Sequence, residues 1–420
     1  RSLATSASAK DTYILFAGNI VSSILAFIFT LIAARRLSVS DFGVFSAINN
    51  LVVIIGSVSD IGISAGLVKF IASFVAKGKF EKAKEVLKAA LILRIVATFF
   101  FVLGLFILPN IVAKELLATN DKSMVYWTAI LSFAIMIWSF FPTVFQAYKR
   151  FVASVGVDLT LSLSRVIFII AFIIIGSLSI QGVLVAFVLG GVIACILSLY
   201  LIGLGFLKKK PKKALYVKLL KFSGWVGVNR AVSAVSGRLD VQMLAIMTGA
   251  TVTGHYSIAS RLALFIVLMT SSFAAVLAPR LSAFENKQKE KDYILKATLT
   301  TIPIVMGTII WIIIAKPFIV ILFGDKYLPS VPMFQALASA MIPFIITAPS
   351  VTAIIYSMKK PVYIGTFSVF QLVIIFIVNL ILIPKVGAYG PIIAFAITNT
   401  LLAIYTWVIV IKHYWLDTDG

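Results

Sequence analysis

The chain has 420 residues, of which 61% are hydrophobic and 12% are charged, and its formal net charge is +22. A chain this apolar cannot bury its hydrophobic surface in one aqueous core, so lipid must be the solvent for most of it. The composition therefore excludes an ordinary soluble domain, and we expect no nucleic acid among the partners because a membrane explains the positive charge better.

The apolar residues fall into stretches of about 20, the length that crosses a bilayer. In chain order they predict twelve spans, at 12–34, 42–67, 86–108, 124–147, 151–176, 182–206, 223–247, 252–276, 295–315, 330–356, 361–383 and 388–411. The predicted fold class is all-α, a polytopic membrane protein with about twelve transmembrane helices.

The second half of the chain repeats the first at a shift of about 210 residues. The segment 43–46 recurs at 254–257, and the segment 182–187 recurs at 390–395. Because each half holds an even number of spans, the repeats are parallel and related by a pseudo-two-fold axis along the membrane normal. We therefore predict an N-lobe at 1–206, a linker at 207–222 and a C-lobe at 223–420.

The predicted linker is strongly basic. It contains five lysines within 208–213, followed by apolar residues interleaved with Lys218 and Lys221. This pattern is typical of an amphipathic helix on the membrane surface, although a docking site for a partner protein stays open.

The basic residues are distributed unequally between the two sides of the predicted spans. Of the 37 lysines and arginines, 25 fall on the side that holds both termini and 7 on the other. By the positive-inside rule the rich side is cytoplasmic, so we expect a multi-pass protein of the cell (inner) membrane with both termini inside. The basic loops would also touch anionic headgroups of the membrane lipids.

Eight charged residues lie inside predicted spans, where each costs about 2.5–3.5 kcal/mol on insertion scales. Five are cations and three are anions, so a cavity that they share would attract an anion. They are Arg94, Arg165, Arg230, Arg238 and Arg261, with Asp60, Asp158 and Asp240.

Helical spacing groups some of these residues with other polar side chains. Asn229 and Asp240 lie on one predicted stripe of span seven, and the repeat places Asn19 on the matching stripe of span one. Either these stripes line a central cleft, or their small polar residues pack helices together. Asp158 and Arg165 share a face of span five, either as a site or as a structural ion pair.

Arg238 and Arg261 are the strongest candidates for substrate binding, because their counterparts in the repeat are uncharged. Arg165, Arg230, Asn19 and Asn229 are further candidates. Asp240 and Asp158 are candidates for linkage to a coupling ion. No phosphate-binding loop, histidine-rich cluster or nucleophile elbow is present in the sequence, so we expect neither an enzyme nor a cofactor or metal.

Five short segments carry a resemblance to a known family. They read AARRLSVSDFGVFS at 33–46, SDIGIS at 59–64, RLD at 238–240, TGHYSIA at 253–259 and ILFGDKY at 321–327. They resemble landmarks of the polysaccharide biosynthesis proteins, the O-antigen type lipid-linked oligosaccharide flippases of the multidrug/oligosaccharidyl-lipid/polysaccharide exporter superfamily.

The resemblance implies two six-helix lobes around a central cavity and transport by alternating access without ATP. It also implies a polyprenyl-pyrophosphate-linked glycan as cargo, moved from the cytoplasmic to the outer leaflet, and an ion or voltage gradient as the driving force. Glycan-assembly proteins are candidate partners, and we expect a monomer.

Arginine suits such a cargo, because its planar guanidinium binds phosphate through two parallel hydrogen bonds. Other interpretations of the sequence stay open. They are a cation-coupled multidrug exporter, a peptidoglycan lipid-precursor flippase, a membrane glycan polymerase or ligase, and a structural assembly protein.

Overall fold

A computed structural model of the protein describes residues 7–176, 178–284 and 286–416, without the side chains of residues 7–12, Trp225, Val226, Asn229 and Arg230. Over these ranges the chain is helical and no strand occurs, which confirms the predicted all-α class. Eleven helical segments in them are long and apolar enough to cross a bilayer, and they match every predicted span except 223–247.

The helices pack into two compact units, which divide between Arg238 and Leu239. The first unit holds nine helices among its described residues: α1 (Ala7–Arg36), α2 (Val39–Asp60), α3 (Ile63–Ala76), α4 (Phe80–Ile107), α5 (Pro109–Ile111), α6 (Ser123–Ala147), α7 (Phe151–Ile174), α8 (Ile180–Ile202) and α9 (Lys213–Ser236). Helix α7 packs extensively against both α1 and α8.

The second unit, in the part of it that the structure describes, also holds nine helices. They are α10 (Leu239–Thr248), α11 (Ala250–Ala283), α12 (Lys287–Leu299), α13 (Ile302–Ile313), α14 (Ala315–Phe323), α15 (Ser330–Ala340), α16 (Ile342–Thr352), α17 (Pro361–Val386) and α18 (Tyr389–Ile411). Helix α18 packs against α15, α16 and α17, and α10 packs against α11 and α17.

The predicted linker is not a separate element. A 3-10 turn at Leu204–Lys208 leads towards α9, which begins at Lys213 and continues to Ser236. The second part of the predicted linker and the first part of predicted span seven therefore form one helix, which contacts α2, α3 and α4 of the first unit. The two compact units are defined by packing, whereas the predicted lobes are defined by sequence repetition. The units therefore do not test the lobe bounds, and the lobes at 1–206 and 223–420 stay a prediction.

Two predicted spans are broken. Span two breaks at Ile61 and Gly62, whose φ angles of 44° and 69° lie in the left-handed region that ends a helix. Span seven breaks between α9 and α10, at Gly237 and Arg238. The break interrupts the stripe that was predicted to run from Asn229 to Asp240, so the expectation of one continuous polar face was wrong.

The backbone supports the duplication. Lys149 and Lys359, 210 residues apart, both adopt positive φ angles, of 57° and 54°, and each lies two residues before a helix begins. Gly176 and Gly387, 211 residues apart, also share positive φ angles. Residues other than glycine rarely adopt this conformation, so its recurrence at the same shift as the sequence repeat indicates two copies of one fold.

Large apolar side chains cover the outside of both units. Ile174 is 80% exposed in the first unit and Val362 is 75% exposed in the second. Water would disfavour such a surface, whereas lipid tails match it. The exposed apolar surface and the long apolar helices together fit a multi-pass membrane protein.

Candidate functional site

Arg165 on α7 lies in an aromatic cluster, which we define as Phe29, Phe45, Trp138 and Phe187. Its guanidinium carbon is 3.5 Å from the Phe187 ring centroid and 4.6 Å from that of Trp138. The Phe187 ring contacts the other three rings at centroid distances of 5.6–6.3 Å. Five helices thus converge on one arginine: α1, α2, α6, α7 and α8.

Two adjacent glycines of α8 make room for this arrangement. A Cβ atom at Gly190 would lie 2.5 Å from Cγ of Arg165, and a Cβ atom at Gly191 would overlap the Trp138 ring. Only glycine therefore lets α8 approach closely enough for the arginine stem and the indole to lie against its backbone.

The Arg165 guanidinium does not find hydrogen-bond acceptors for all of its N–H groups. Its Nε and Nη2 atoms are inaccessible to water and have no hydrogen-bond partner among the described residues. Two cation–π contacts supply up to roughly 2 kcal/mol each when desolvated, whereas each unsatisfied buried donor costs about 1–3 kcal/mol. Arg165 therefore keeps two N–H donors without an acceptor in this conformation, at the edge of a guanidinium that contacts two aromatic rings.

Asp158, two helical turns before Arg165 on α7, is half-buried. The described residues include no salt bridge between the two side chains, although their charges attract each other through space. Asp158 and Arg165 thus interact electrostatically without a direct ion pair, and both the site and the structural pair stay predictions. Ser154, one helical turn before Asp158 on α7, is buried, and its hydroxyl donates to the Pro142 carbonyl at 3.2 Å.

Arg94 and Asp60 form a buried ion pair in the first unit. The distance from Arg94 Nε to Asp60 Oδ1 is 3.5 Å, and the two residues are 4% and 7% exposed. Nη2 of Arg94 donates to Ser139 Oγ at 3.1 Å. Asp60 also accepts the Ser64 hydroxyl at 2.6 Å and so joins the two parts of span two. These contacts make Asp60 a hydrogen-bonding residue of the helix break.

Arg238, at the break after α9, is held by Asn50 of α2. The Asn50 amide donates to the Arg238 carbonyl at 2.9 Å, and Nη1 of Arg238 donates to the Asn50 side-chain oxygen at 3.4 Å. Asn50 is 3% exposed, whereas Arg238 is half-buried. Asn50 thus fixes the position of Arg238 beside the break in span seven.

In the second unit, Asp240 and Tyr256 form a buried pair. The Tyr256 hydroxyl donates to Asp240 Oδ2 at 2.8 Å, and the two residues are 0% and 3% exposed, respectively. This hydrogen bond ties α10 to α11 just after the break in span seven. Asp240 therefore has a structural role, which leaves its predicted part in ion coupling as a separate hypothesis.

Arg261, on α11, is half-buried and its charge acts on Tyr327. Burial raises the pKa of the Tyr327 hydroxyl, and the positive charge of Arg261 opposes that rise. The Tyr327 ring also packs edge-on against His255 at a centroid distance of 5.9 Å. Arg261 thus belongs to a polar and aromatic group near the segment 321–327.

The remaining predicted site residues are less well placed. Asn19 on α1 is exposed, as its predicted cavity role requires. The apolar Ile20 beside it is exposed too, so exposure alone does not distinguish a cavity from the lipid-facing surface. The side chains of Asn229 and Arg230 lie outside the described residues. Over the described chain, no three His, Cys, Asp or Glu side chains come together as a metal site requires.

Sequence reasoning missed Trp138 and Phe187. Both read as ordinary apolar residues of a span, and aromatic residues in membrane helices are common. The one usable signal was the glycine pair at 190–191 in a strongly apolar segment, since small residues mark a close helix contact. The sequence could not show that the contact contains an arginine.

Comparison with known families decides the class of protein. The sequence profile described as "Polysaccharide biosynthesis protein" matches residues 8–285, about two thirds of the chain. The chain belongs to this family. The family that the sequence segments suggested is therefore confirmed. A separate comparison with curated proteins gives no match.

Solved structures share the fold of this polysaccharide biosynthesis protein. A lipid II flippase MurJ in an inward closed conformation has a TM-score of 0.75 at 15% identity, over 95% of this chain and 87% of that one. An inward-facing MATE family multidrug resistance transporter of the MOP superfamily has a TM-score of 0.72 at 14% identity, over 95% and 96%. A MOP superfamily transporter from Pyrococcus furiosus has a TM-score of 0.62 at 14% identity, over 97% of this chain and 95% of that one. The protein thus has the two-lobe fold of this superfamily.

Proposed function

We propose that this protein flips a polyprenyl-pyrophosphate-linked oligosaccharide from the cytoplasmic to the outer leaflet by alternating access. Its family and fold are those of a flippase or exporter in general. The observation that supports an anionic cargo is Arg165, a half-buried cation whose Nε and Nη2 donors have no partner among the described residues. A phosphate oxygen is the acceptor that such an edge binds best.

Candidate phosphate-binding arginines occur in each of the two units. Arg165 and Arg238 belong to the first unit, Arg261 belongs to the second, and Arg230, whose side chain is not described, is a further candidate. These positive charges would bind the two phosphates, and Asn19 and Asn229 would contact the polar headgroup. The polyprenyl tail would stay in lipid, which matches the apolar outer surface.

The proposal also covers the orientation of the protein in the membrane and the coupling of transport to an ion. The lysine-rich side would face the cytoplasm of the inner membrane, with both termini inside. Asp158 and Asp240 are the candidates for linkage to a coupling ion. Of these, half-buried Asp158 is more accessible to an ion than Asp240. Glycan-assembly proteins would deliver or receive the cargo, and the protein would act as a monomer.

The test measures flipping of a fluorescent lipid-linked oligosaccharide in liposomes that contain the purified protein. Arg165→Ala should slow flipping of the pyrophosphate-linked cargo roughly 10- to 100-fold, because a charged hydrogen bond contributes about 1.5–3 kcal/mol. Arg165→Lys should recover part of the rate, since it keeps the charge but loses the bidentate geometry. The double variant Arg238→Ala/Arg261→Ala should abolish surface glycan in a complementation assay.

Arg280→Ala is the matched control, because Arg280 lies exposed at the end of α11. It should flip the cargo at the rate of the unmodified protein. Full flipping by both Arg165→Ala and the Arg238/Arg261 double variant, at normal protein levels, would overturn the arginine assignment. Failure of the unmodified protein to flip any lipid-linked sugar, together with resistance to cationic drugs in cells, would instead favour a multidrug exporter.

A further inference from the structure

Two lysines and two phenylalanines cross between α3 and α9 in the first unit. Nζ of Lys69 on α3 lies 3.8 Å from the ring centroid of Phe222 on α9. Nζ of Lys218 on α9 lies 5.1 Å from the ring centroid of Phe70 on α3. The two rings contact each other edge to face at 5.7 Å. Both ammonium groups are therefore held over one pair of touching rings.

Small residues bring the two helices close enough for this crossing. A Cβ atom at Gly66 of α3 would lie 2.6 Å from Ser223 Oγ of α9. One turn further along, a Cβ atom at Gly227 would overlap the backbone of Ile61. The backbones thus meet at close range, as small residues allow in membrane helices, and the crossing has a rigid base.

The lysine ammonium groups point outward with their hydrogen-bonding capacity unused. Both lysines are exposed, whereas the two rings beneath them are half-buried. Neither lysine makes a salt bridge to any residue that the structure describes. A cation–π contact uses the charge over the ring face but leaves the N–H groups on the opposite side for an anion.

The surrounding sequence supplies almost no negative charge. Segments 62–88 and 203–223 contain thirteen lysines and two glutamates. Of the glutamates, Glu81 is already bound by Lys84 at 2.8 Å and by Lys209. Lys88 donates to the carbonyls of Leu207 and Lys209, which fixes the chain before α9 against α4. No carboxylate among the described residues pairs with Lys69 or Lys218, so both ammonium groups are available to an acceptor from outside the protein.

We propose that the crossed pair, Lys69–Phe222 and Lys218–Phe70, is a binding site for the phosphate of an anionic phospholipid headgroup. The site lies at the lysine-rich end of the first unit, next to exposed apolar residues such as Val217 that fit the acyl region. Basic pockets between membrane helices bind such headgroups. The site does not depend on which cargo the protein carries.

The test titrates the full chain in detergent with phosphatidylglycerol, and in parallel with phosphatidylcholine, and counts bound lipid by native mass spectrometry. The double variant Lys69→Gln/Lys218→Gln should bind phosphatidylglycerol roughly 30-fold more weakly, from about 1 kcal/mol for each lysine. Its weak binding of phosphatidylcholine should not change. Lys69→Arg/Lys218→Arg keeps both charges and should retain the affinity for phosphatidylglycerol.

Lys77→Gln/Lys212→Gln is the matched control, because it removes the same charge from exposed lysines of the same two segments that have no aromatic contact. It should weaken binding far less. An equal loss in the two glutamine double variants would overturn the site and leave only general attraction to a basic surface. Stronger binding of inorganic pyrophosphate than of phosphatidylglycerol at these lysines would also overturn the proposal, since it would assign the site to the cargo headgroup.

Discussion

The Asp60–Arg94 pair gives a quantitative prediction about stability. Asp60→Asn removes the negative charge beside Arg94 while keeping a side chain of the same shape that can still accept from Ser64. Both residues of the pair are nearly inaccessible, at 7% and 4% exposure. Leaving a buried charge without its partner typically costs about 3–5 kcal/mol, so Asp60→Asn should lower the free energy of unfolding by about that amount.

Removing both charges should cost much less than removing one. In the double variant Asp60→Asn/Arg94→Met no buried cation remains, and replacing a buried pair by apolar groups is often close to neutral. The two substitutions should therefore be strongly non-additive in a double-mutant cycle. The double variant also loses the Arg94–Ser139 hydrogen bond. Its free energy of unfolding should therefore still fall by about 1 kcal/mol.

Thermal unfolding of the purified protein in one detergent measures these differences. For a unit of about this size a loss of 3–5 kcal/mol corresponds to a fall in Tm on the order of 10 °C. Glu81→Gln is the control, because it also breaks ion pairs, with Lys84 and Lys209, but on the surface. Solvent screens such pairs, so this variant should unfold at nearly the normal temperature.

Two results would refute the reasoning. A Tm of Asp60→Asn equal to that of the unmodified protein would mean that the pair does not compensate a buried charge. A double variant as unstable as Asp60→Asn would mean that the loss comes from packing at the break and not from the lone cation. Transport per folded molecule should stay normal in the double variant if the pair is only structural.

Three further substitutions test other contacts. Gly227→Ala should destabilise the protein by about 1–3 kcal/mol, because the new methyl group overlaps the backbone of Ile61. Tyr256→Phe should cost about 1.5–3 kcal/mol, since buried Asp240 loses the hydroxyl that donates to it. Ser38→Ala should cost about 1 kcal/mol, because the hydroxyl accepts from a backbone N–H at the start of α2. Thermal unfolding measures all three.

Each of these substitutions has a control or a contrary result. Gly224→Ala is the control for Gly227→Ala, because a Cβ atom there meets no other atom and should raise stability slightly. Equal effects of the two alanines would contradict the close contact between α9 and the break. An unchanged Tm in Tyr256→Phe would show that Asp240 does not depend on this donor, and Ser38→Thr should retain most of the cap.

The intramembrane charges show how far the sequence could predict the candidate site. Their cost in lipid marks Arg165, Arg238 and Arg261 as requiring an explanation, whatever the fold. Helical spacing could not identify their partners, because it compares residues of one helix only. Asn50 lies 188 residues before Arg238, and Trp138 and Phe187 lie on two other helices that meet at Arg165.

The sequence by itself determined the membrane environment, the helical class, the order of the spans and the duplication. These properties follow from local hydrophobicity and from repetition, which need no knowledge of packing. Only the tertiary structure decided where spans two and seven break and that α9 packs with the first unit. It also showed that Asp60 pairs with Arg94 while Arg165 lies among aromatic rings. The physical reason is that a buried charge or a helix break is stabilised by groups distant in sequence, and only packing brings them together.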